Sequence, residues 1–311
     1  MVRLKEKRIF VAGGNGFMGS HLIAALHKRG VPKDHIIAPR SNECDFRVWD
    51  ECARALKGAE VVFDCAAIAG DLLTRTKIPG EIFYDNLVMG IHILEAARQA
   101  GAEKVVTVGS VSEYPDTAPL PLKEDDLWAG LPASTNIPYG LSKRIVAIQG
   151  EMYRKQSGFN AVHLLLANSY GPGEKYESGY MLPSLIKKIL DAKKANAPRV
   201  EVWGTGDQTR DLIFVDDAVE GILLAAEKYE EKGPLNLATG AGIRIKDLIA
   251  LLCSIIGFEG KIKWDTTKPE GTLQRTVNID KAKRTIGFEA KTPLEEGLRQ
   301  TMGWHRSTDN K

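Results

Sequence analysis

The sequence lacks an excess of either charge, paired cysteines and any long hydrophobic run. Its 42 lysines and arginines nearly balance 40 aspartates and glutamates, so no overall field attracts the protein to nucleic acid or to an anionic membrane. The four cysteines have no C-x-x-C spacing and no accompanying histidine cluster, which predicts buried free thiols and no metal site. The first apolar run, Ile9 to Ala12, is far too short for a signal sequence or a membrane span, and we expect a cytosolic protein.

What the sequence does contain is a regular alternation of strand-like and helical segments. A chain of 311 residues that is 43% hydrophobic can bury a sizeable core. Short apolar runs alternate with segments of helical periodicity, which predicts an α/β fold with a doubly wound parallel sheet. The predicted strands cover residues 8–13, 35–38, 60–65, 104–109 and 161–167, and the predicted helices cover residues 48–56, 81–99 and 139–156.

A glycine-rich turn follows the first predicted strand. Glycines at positions 13, 14, 16 and 19 allow a tight turn and let backbone N–H groups approach a pyrophosphate at the N-terminus of a helix. Because the pattern stands where a strand passes into a helix, it predicts a dinucleotide site. The residues assigned to the cofactor there are Gly13, Gly16, Phe17, Met18 and Gly19.

The end of the second predicted strand indicates which dinucleotide binds. An NAD site usually places Asp or Glu there to bind the ribose 2′-hydroxyl, whereas this strand is followed by Arg40 and Ser41. An arginine and a hydroxyl favour a 2′-phosphate, so NADP(H) is predicted over NAD(H), although Arg40 could also be an exposed loop residue. Asp45 is a candidate partner of the adenine amino group, and equally a turn or helix-capping residue.

The regular alternation ends near Tyr170. A helix near residues 182–190, a strand near 200–203 and loops rich in glycine and proline follow, which is typical of a smaller, irregular lobe. We expect residues 1–170 to form a cofactor-binding domain of the Rossmann type, with elements near 208–236 returning to it. Residues 171–311 are expected to form mainly the lobe that binds the substrate.

Three further residues can move a proton beside such a cofactor. Tyr139 and Lys143 stand four residues apart on a predicted helix, so they share one face and the ammonium favours the phenolate form of the tyrosine. Ser110 follows the strand predicted at 104–109, whose carboxyl end borders the same crevice. Ser110, Tyr139 and Lys143 are therefore the predicted catalytic residues, and hydride chemistry on a carbonyl or an alcohol is the predicted reaction.

Together these motifs resemble the extended short-chain dehydrogenase/reductase superfamily, in particular the NAD-dependent epimerase/dehydratase family. The resemblance rests on the glycine turn, Ala66-Ala67, Gly109-Ser110, the Tyr139/Lys143 pair and the segments 168–172 and 210–217. Segments 126–130, 135–139 and 202–206 are most similar to GDP-fucose synthases, which epimerise and then reduce GDP-4-keto-6-deoxymannose with NADPH.

The resemblance implies a role for each matching residue near the cofactor. Tyr139 is implied to donate a proton, Lys143 to hold the nicotinamide ribose, and Ser110 to hydrogen-bond the substrate oxygen. Ala66 and Ala67 are implied to contact the cofactor after the third strand.

The resemblance also implies a nucleotide-sugar substrate and a homodimer. Asn168, Trp203 and Arg210 are implied to face the nucleotide-sugar, with Arg210 at its diphosphate, although Trp203 could equally be a packing residue. The helices at 81–99 and 139–156 resemble those through which family members pair in a four-helix bundle. Two acidic residues before the helical run 218–226 are interpreted as capping residues, Asp216 and Asp217.

Two positions depart from the GDP-fucose synthases. Those proteins carry a cysteine where this chain has Ser112 and a histidine where it has Tyr180, and the two residues exchange protons beside the ketone. An unactivated serine is a poor base, which argues against the double epimerisation and leaves Ser112 and Tyr180 as substrate contacts. Glu113 would point away from the site in an extended segment, and is interpreted as a solvated or capping residue.

The sequence therefore favours an NADPH-dependent 4-ketoreductase of a nucleotide-activated 4-keto-6-deoxyhexose. Three alternatives stay open: a nucleotide-sugar 4-epimerase with tightly bound NAD, an epimerase/reductase with unrecognised acid and base residues, and a protein that only senses its cofactor or acts as a scaffold. Arg40 argues against the first alternative. The intact Ser110, Tyr139 and Lys143 argue against the last.

Overall fold

Continuous apolar runs, rather than alternating ones, form the central sheet. A computed structural model describes residues 1–68, 76–267 and 275–309. Every residue of β1 (Ile9–Ala12) and β3 (Val61–Asp64) is buried, as a parallel sheet covered on both faces requires. The remaining strands of this sheet are β2 (Ile36–Ile37), β4 (Lys104–Ser110), β5 (Ala161–Leu166) and β9 (Leu235–Leu237).

The strand order places a crevice at one end of the sheet. The order is β2-β1-β3-β4-β5-β9, and all neighbouring strands are parallel. The direction of winding reverses between β1 and β3, so their carboxyl ends border a crevice in which a ligand can bind. The predicted doubly wound parallel sheet is confirmed, with a second strand that is shorter than the predicted residues 35–38.

Helices cover both faces of the sheet. One face packs on α1 (Phe17–Lys28) and on the later α6 (Val215–Lys228), and the buried Leu22 and Ile222 lie in that layer. The other face packs on three helices, α2 (Trp49–Ala55), α3 (Pro79–Gln99) and α4 (Ser142–Ser157). Short helical turns also occur at Leu4–Glu6, Lys33–His35, Glu124–Trp128, Ser134–Asn136 and Tyr176–Ser178.

Elements beyond β5 build a separate hydrophobic cluster. Its helices are α5 (Met181–Lys194), α7 (Ile245–Ile256) and α9 (Leu294–Asp309). Two small sheets accompany them: β10 (Gly242–Arg244), β8 (Thr209–Phe214) and β6 (Asn168–Tyr170) form one, and β11 (Lys261–Asp265) with β7 (Arg199–Trp203) forms the other. The short α8 (Asp280–Ile286) instead packs with the core of the central sheet through Ala282 and Ile286. Both β9 and α6 pack with the central sheet although they follow part of this cluster in sequence.

The four cysteines are free thiols, as the sequence predicts. Cys44 and Cys52 are buried, Cys65 and Cys253 are half-buried, and all four thiols are free. Within the described ranges, no helix combines the length and the apolar character needed to cross a bilayer.

Candidate functional site

The glycine turn lies at the crevice between β1 and β3. Gly13 has a φ of +70°, a conformation that favours glycine, and a Cβ there would lie 2.8 Å from the carbonyl oxygen of Cys65. A Cβ at Gly19 would overlap the carbonyl oxygen of Gly13. The amino end of α1 therefore lies directly against the turn, an arrangement that can hold a pyrophosphate. The other residues assigned to this turn form the N-cap and the first two positions of α1, namely Gly16, Phe17 and Met18.

The residues predicted to select the cofactor follow β2. Arg40 and Ser41 are both exposed, and the backbone N–H of Arg40 donates to Glu43 Oε2 at 2.8 Å. Asp45 Oδ2 accepts a hydrogen bond from Arg47 Nη2 at 2.8 Å, and the hydrogen bonds from Arg47 hold the pKa of Asp45 below its usual value. Asp45 is thus a turn residue paired with Arg47, and its contact with adenine stays a prediction.

Ser110 stands where β4 turns into a short 3₁₀ helix, Val111–Glu113. Its Oγ accepts a hydrogen bond from the N–H of Ser112 at 3.1 Å, while its own N–H donates to Glu113 Oε1 at 2.7 Å. This reciprocal pair is a capping box, so the capping interpretation of Glu113 is confirmed. The solvated interpretation was wrong, because the segment turns instead of staying extended and the Glu113 side chain is fully buried.

Tyr139 lies in a π-helical turn, Ile137–Leu141, that precedes α4. The regular helix thus begins later than the predicted residue 139. Tyr139 is 9% exposed. The next residue, Gly140, packs on the serine turn, since a Cβ there would lie 2.6 Å from the carbonyl oxygen of Ser112. The segments that carry Tyr139 and Ser110 are therefore in direct contact.

Lys143 reaches from α4 to the chain that leaves β3. It is only 3% exposed, and its Nζ donates to the carbonyl oxygen of Ala66 at 2.8 Å. Asp64 is buried next to it, and its Oδ1 accepts the N–H of Ala66 at 3.1 Å. Burial raises the pKa of Asp64, and the nearby charge of Lys143 opposes that rise. Ala67 is exposed. The Tyr139/Lys143 segment and the glycine turn thus share one end of the sheet.

The predicted substrate contacts lie on elements beyond β5. Asn168 is exposed at the start of β6, which pairs with β8, and β8 also carries the half-buried Arg210. Burial lowers the pKa of the Arg210 guanidinium. Trp203 ends β7 and is 41% exposed, so it is not a core residue, and Lys188 Nζ lies 5.6 Å from its ring centroid. Tyr180 immediately precedes α5 and is also exposed.

Arg275, which no sequence pattern predicts as a site residue, joins the serine turn to β8. Its Nη1 donates to the carbonyl oxygen of Val111 at 3.3 Å and to Ser112 Oγ at 3.4 Å. Its backbone N–H donates to Thr209 Oγ1 at 3.3 Å, beside Arg210. No local motif marks this arginine, and these three contacts lie on segments that are distant in sequence.

Asp216 and Asp217 do not cap α6, so that interpretation was wrong. The N-cap position is Phe214, and the two acidic side chains instead bind neighbouring segments. Asp216 Oδ1 lies 3.0 Å from His21 Nδ1 on α1, and Asp217 Oδ2 accepts the N–H of Thr292 at 2.8 Å. The acidic pair therefore connects α6 to its neighbours.

Comparison with known proteins finds relatives over almost the whole chain. The family model described as the NAD dependent epimerase/dehydratase family matches residues 9–238. A GDP-L-fucose synthase of Sinorhizobium fredii is 32% identical over 302 residues, covering 96% of this chain and 95% of that protein. GDP-L-fucose synthase 1 of Arabidopsis thaliana is 30% identical over 307 residues, covering 97% and 94%.

A solved structure is similar over the same length. It is that of a GDP-mannoheptose C4 reductase from Campylobacter jejuni with NADP bound, which has a TM-score of 0.88 and 25% sequence identity. The match covers 98% of this chain and 100% of that chain. The resemblance deduced from the motifs is therefore confirmed.

Proposed function

Because this chain belongs to the NAD-dependent epimerase/dehydratase family, we propose that it is an NADPH-dependent 4-ketoreductase of a nucleotide-activated 4-keto-6-deoxyhexose. One observation carries the proposal: a complete Ser110, Tyr139 and Lys143 set accompanies a Ser112 whose hydroxyl, within the described part of the chain, is hydrogen-bonded to an arginine and to no base. Among the described residues, Ser112 Oγ is bonded to the guanidinium of Arg275, which donates hydrogen bonds and takes no proton. Reduction needs only Ser110, Tyr139 and Lys143, whereas epimerisation also needs a base at the carbon next to the ketone.

The cofactor is NADP(H). A Cβ at Gly13 would press on the carbonyl oxygen of Cys65 and a Cβ at Gly19 on that of Gly13, so the glycines let the turn lie tightly between β3 and the amino end of α1, which fits a dinucleotide pyrophosphate. The Campylobacter reductase carries NADP, and Arg40 stands at the position that would pair with a 2′-phosphate. When bound, NADPH supplies the hydride for the carbonyl carbon.

Three side chains of this chain stabilise or protonate the substrate oxygen as it gains negative charge, or support the residue that does so. Ser110 Oγ already accepts the N–H of Ser112, which leaves its own hydrogen available to donate to that oxygen. Tyr139 delivers the proton that completes the alcohol. Lys143, held by the carbonyl of Ala66, keeps a positive charge beside the tyrosine and orients the cofactor ribose.

The nucleotide-sugar would extend from this centre toward β6, β7 and β8. Burial lowers the pKa of Arg210, and a diphosphate placed there would stabilise the charged guanidinium. Arg275 would add a second positive charge from the side of Ser112. Asn168, Tyr180 and Trp203 are the proposed contacts for the sugar and the nucleotide, and their exposure leaves them accessible to a ligand.

A substrate panel tests this function. We expect NADPH consumption with at least one of the GDP-, dTDP-, UDP- and CDP-linked 4-keto-6-deoxyhexoses, and no solvent deuterium at C3 or C5 of a product made in D₂O. Deuterium at either carbon would favour the epimerase/reductase alternative. No consumption with any of them, together with turnover of an unmodified nucleotide-sugar by tightly bound NAD, would identify a 4-epimerase instead.

Arg40 is expected to set the preference for NADPH. We predict that Arg40→Ala raises the KM for NADPH about 10- to 100-fold, the loss of one charge-assisted contact, and leaves the KM for NADH nearly unchanged. Steady-state rates with each cofactor measure this ratio. Lys33→Ala is the matched control, because it removes an exposed positive charge before the same strand and should change neither KM. An unchanged NADPH-to-NADH ratio in Arg40→Ala would contradict the assignment.

We propose a division of the chain between the core of the central sheet and the separate hydrophobic cluster built by elements beyond β5. Residues 1–170, with elements near 208–236, would form the cofactor domain, and 171–311 mainly the substrate lobe. The packing of β9 and α6 with the central sheet supports the return of the chain to the first domain.

We propose that two copies pair through α3 and α4 in a four-helix bundle. The two helices pack closely, since a Cβ at Gly90 would lie 2.5 Å from Val146 Cγ2. Their outer surface carries three exposed apolar residues, Tyr84 (61%), Ile148 (41%) and Met152 (44%). Sedimentation equilibrium should give a mass of twice the chain mass of 34.1 kDa, and Tyr84→Glu should shift the measured mass toward that of a single chain. A wild-type protein that stays monomeric at micromolar concentration would contradict the pairing.

A further inference from the structure

A row of buried polar side chains crosses three strands on the face covered by α3 and α4. Asp64 of β3 is in register with Thr107 of β4, which is in register with His163 of β5. Side chains at paired positions lie side by side on one face of a sheet. All three are at most 6% exposed. Polar groups buried this deeply cost free energy unless they are hydrogen-bonded, so their partners are informative.

The row continues as a hydrogen-bonded chain to Ser110. His163 Nδ1 lies 2.7 Å from Thr107 Oγ1, closer than the 3.3 Å between that hydroxyl and the carbonyl oxygen of Val162, so we assign the hydroxyl as the donor to Nδ1 and the ring hydrogen to Nε2. His163 Nε2 lies 2.9 Å from Glu113 Oε2. Glu113 Oε1 accepts the N–H of Ser110 at 2.7 Å. The carboxylate therefore links a histidine in the sheet to the backbone of the serine at the site.

The surrounding residues leave space for this pair and hold it. A Cβ at Gly109 would overlap both Glu113 Oε1 and His163 Nε2, so a glycine is required by packing. Gly109 is not among the glycines with positive φ, and its backbone conformation is open to other residues. The guanidinium of Arg144, on α4, donates to the carbonyl oxygens of Glu113 and Gly130, so the helix also holds the serine turn.

We propose that Glu113 and His163 are positioning residues that hold Ser110 ready to donate its hydroxyl hydrogen to the substrate oxygen. Glu113 fixes the backbone of Ser110, and His163 fixes the carboxylate of Glu113. With the turn held, the N–H of Ser112 stays on Ser110 Oγ and leaves the hydroxyl hydrogen available to the substrate oxygen. The inference rests on the proposed function in that Ser110 is taken to bind the reacting oxygen.

A double-mutant cycle distinguishes positioning from simple stabilisation. We expect Glu113→Ala to lower kcat about 10- to 100-fold with the KM for NADPH within about twofold, the range for an imperfectly placed donor. Glu113→Gln keeps an oxygen for the N–H of Ser110 and should recover most of the loss. In a Ser110→Ala background, adding Glu113→Ala should lower kcat by less than about threefold, because no hydroxyl is left to position.

The matched control is Tyr114→Phe. Tyr114 follows Glu113 and is buried, but its hydroxyl donates to Asn236 at 2.8 Å and not to the serine turn. It should lower the melting temperature and leave kcat unchanged. If Glu113→Ala lowers kcat by the same factor in the wild-type protein and in the Ser110→Ala variant, Glu113 has only a structural role and the inference is overturned.

Amide hydrogen exchange tests the same inference without a substrate. Glu113→Ala should speed exchange at the amides of Ser110 and Ser112 at least about tenfold, and Tyr114→Phe should not. If Glu113→Ala does not fold, His163→Gln replaces it in both experiments, since it removes the ring that holds the carboxylate. Unchanged exchange at Ser110 would overturn the positioning even with an active enzyme. If Glu113→Ala speeds exchange but the wild-type protein turns over no sugar of the substrate panel, the proposed function is wrong, while Glu113 still holds the backbone of Ser110.

Discussion

Tyr139→Phe is expected to lower kcat about 10²- to 10⁴-fold while the KM for NADPH stays within about twofold. Phenylalanine keeps the ring, which is 9% exposed in the turn before α4, but it has no proton to deliver. The loss should appear in single-turnover hydride transfer as well as in steady-state rates. Both are measured with the nucleotide-sugar that the substrate panel identifies.

A second buried tyrosine provides the control for this substitution. Tyr229 is 1% exposed, and its hydroxyl donates to the carbonyl oxygens of Lys232 and Gly233 at 3.2 and 3.1 Å. Tyr229→Phe should cost about 1 kcal/mol of unfolding free energy, the contribution of an ordinary hydrogen bond, and leave kcat unchanged. If Tyr139→Phe keeps more than a tenth of the wild-type kcat, another group supplies the proton and the proposed role of Tyr139 is wrong.

Lys143→Met is expected to lower kcat/KM about 10²- to 10³-fold and to destabilise the protein by about 2 kcal/mol. The activity falls because the positive charge beside Tyr139 is lost. The stability falls because the carbonyl of Ala66 loses a charged donor and the buried Asp64 loses a nearby positive charge. Urea unfolding and steady-state kinetics measure the two losses separately.

Asp64→Asn separates the two effects of Lys143→Met. The amide keeps an oxygen for the N–H of Ala66 but removes the buried negative charge. The double variant Lys143→Met, Asp64→Asn should therefore have a higher unfolding free energy than Lys143→Met alone. Its kcat/KM should be as low as that of Lys143→Met. If activity returned together with stability, Lys143 would act through the fold and not through the reaction.

Local patterns explain how the candidate site could be proposed from the sequence. The glycine turn and the Tyr139/Lys143 pair each lie within a few residues of one another, where strand, turn and helix geometry follow from neighbouring residues. The parallel sheet then brings the carboxyl ends of β1, β3 and β4 to one edge, so Ser110 could also be placed there. Its distance in sequence from the glycine turn did not hinder that prediction.

Contacts between distant segments explain what was missed. The sequence predicts a solvated or a capping Glu113, because an extended strand would direct its side chain outward. The chain instead turns after Ser110, and the side chain caps that turn and meets His163. Asp216 and Asp217 stand where capping residues are common, but their partners are on α1 and beyond α8. Arg275 carries no motif at all.

The sequence by itself determined the fold class, and it predicted the dinucleotide site and the Ser110, Tyr139 and Lys143 set. Each depends on periodicity or on spacing within one strand-turn-helix unit, which short-range backbone geometry dictates. Only the tertiary structure decided what surrounds that set: Arg275 on Ser112, Asp64 beside Lys143, and the His163–Glu113 pair behind Ser110. A buried charge is placed by the partners that offset its desolvation, and those partners come from segments far apart in the chain.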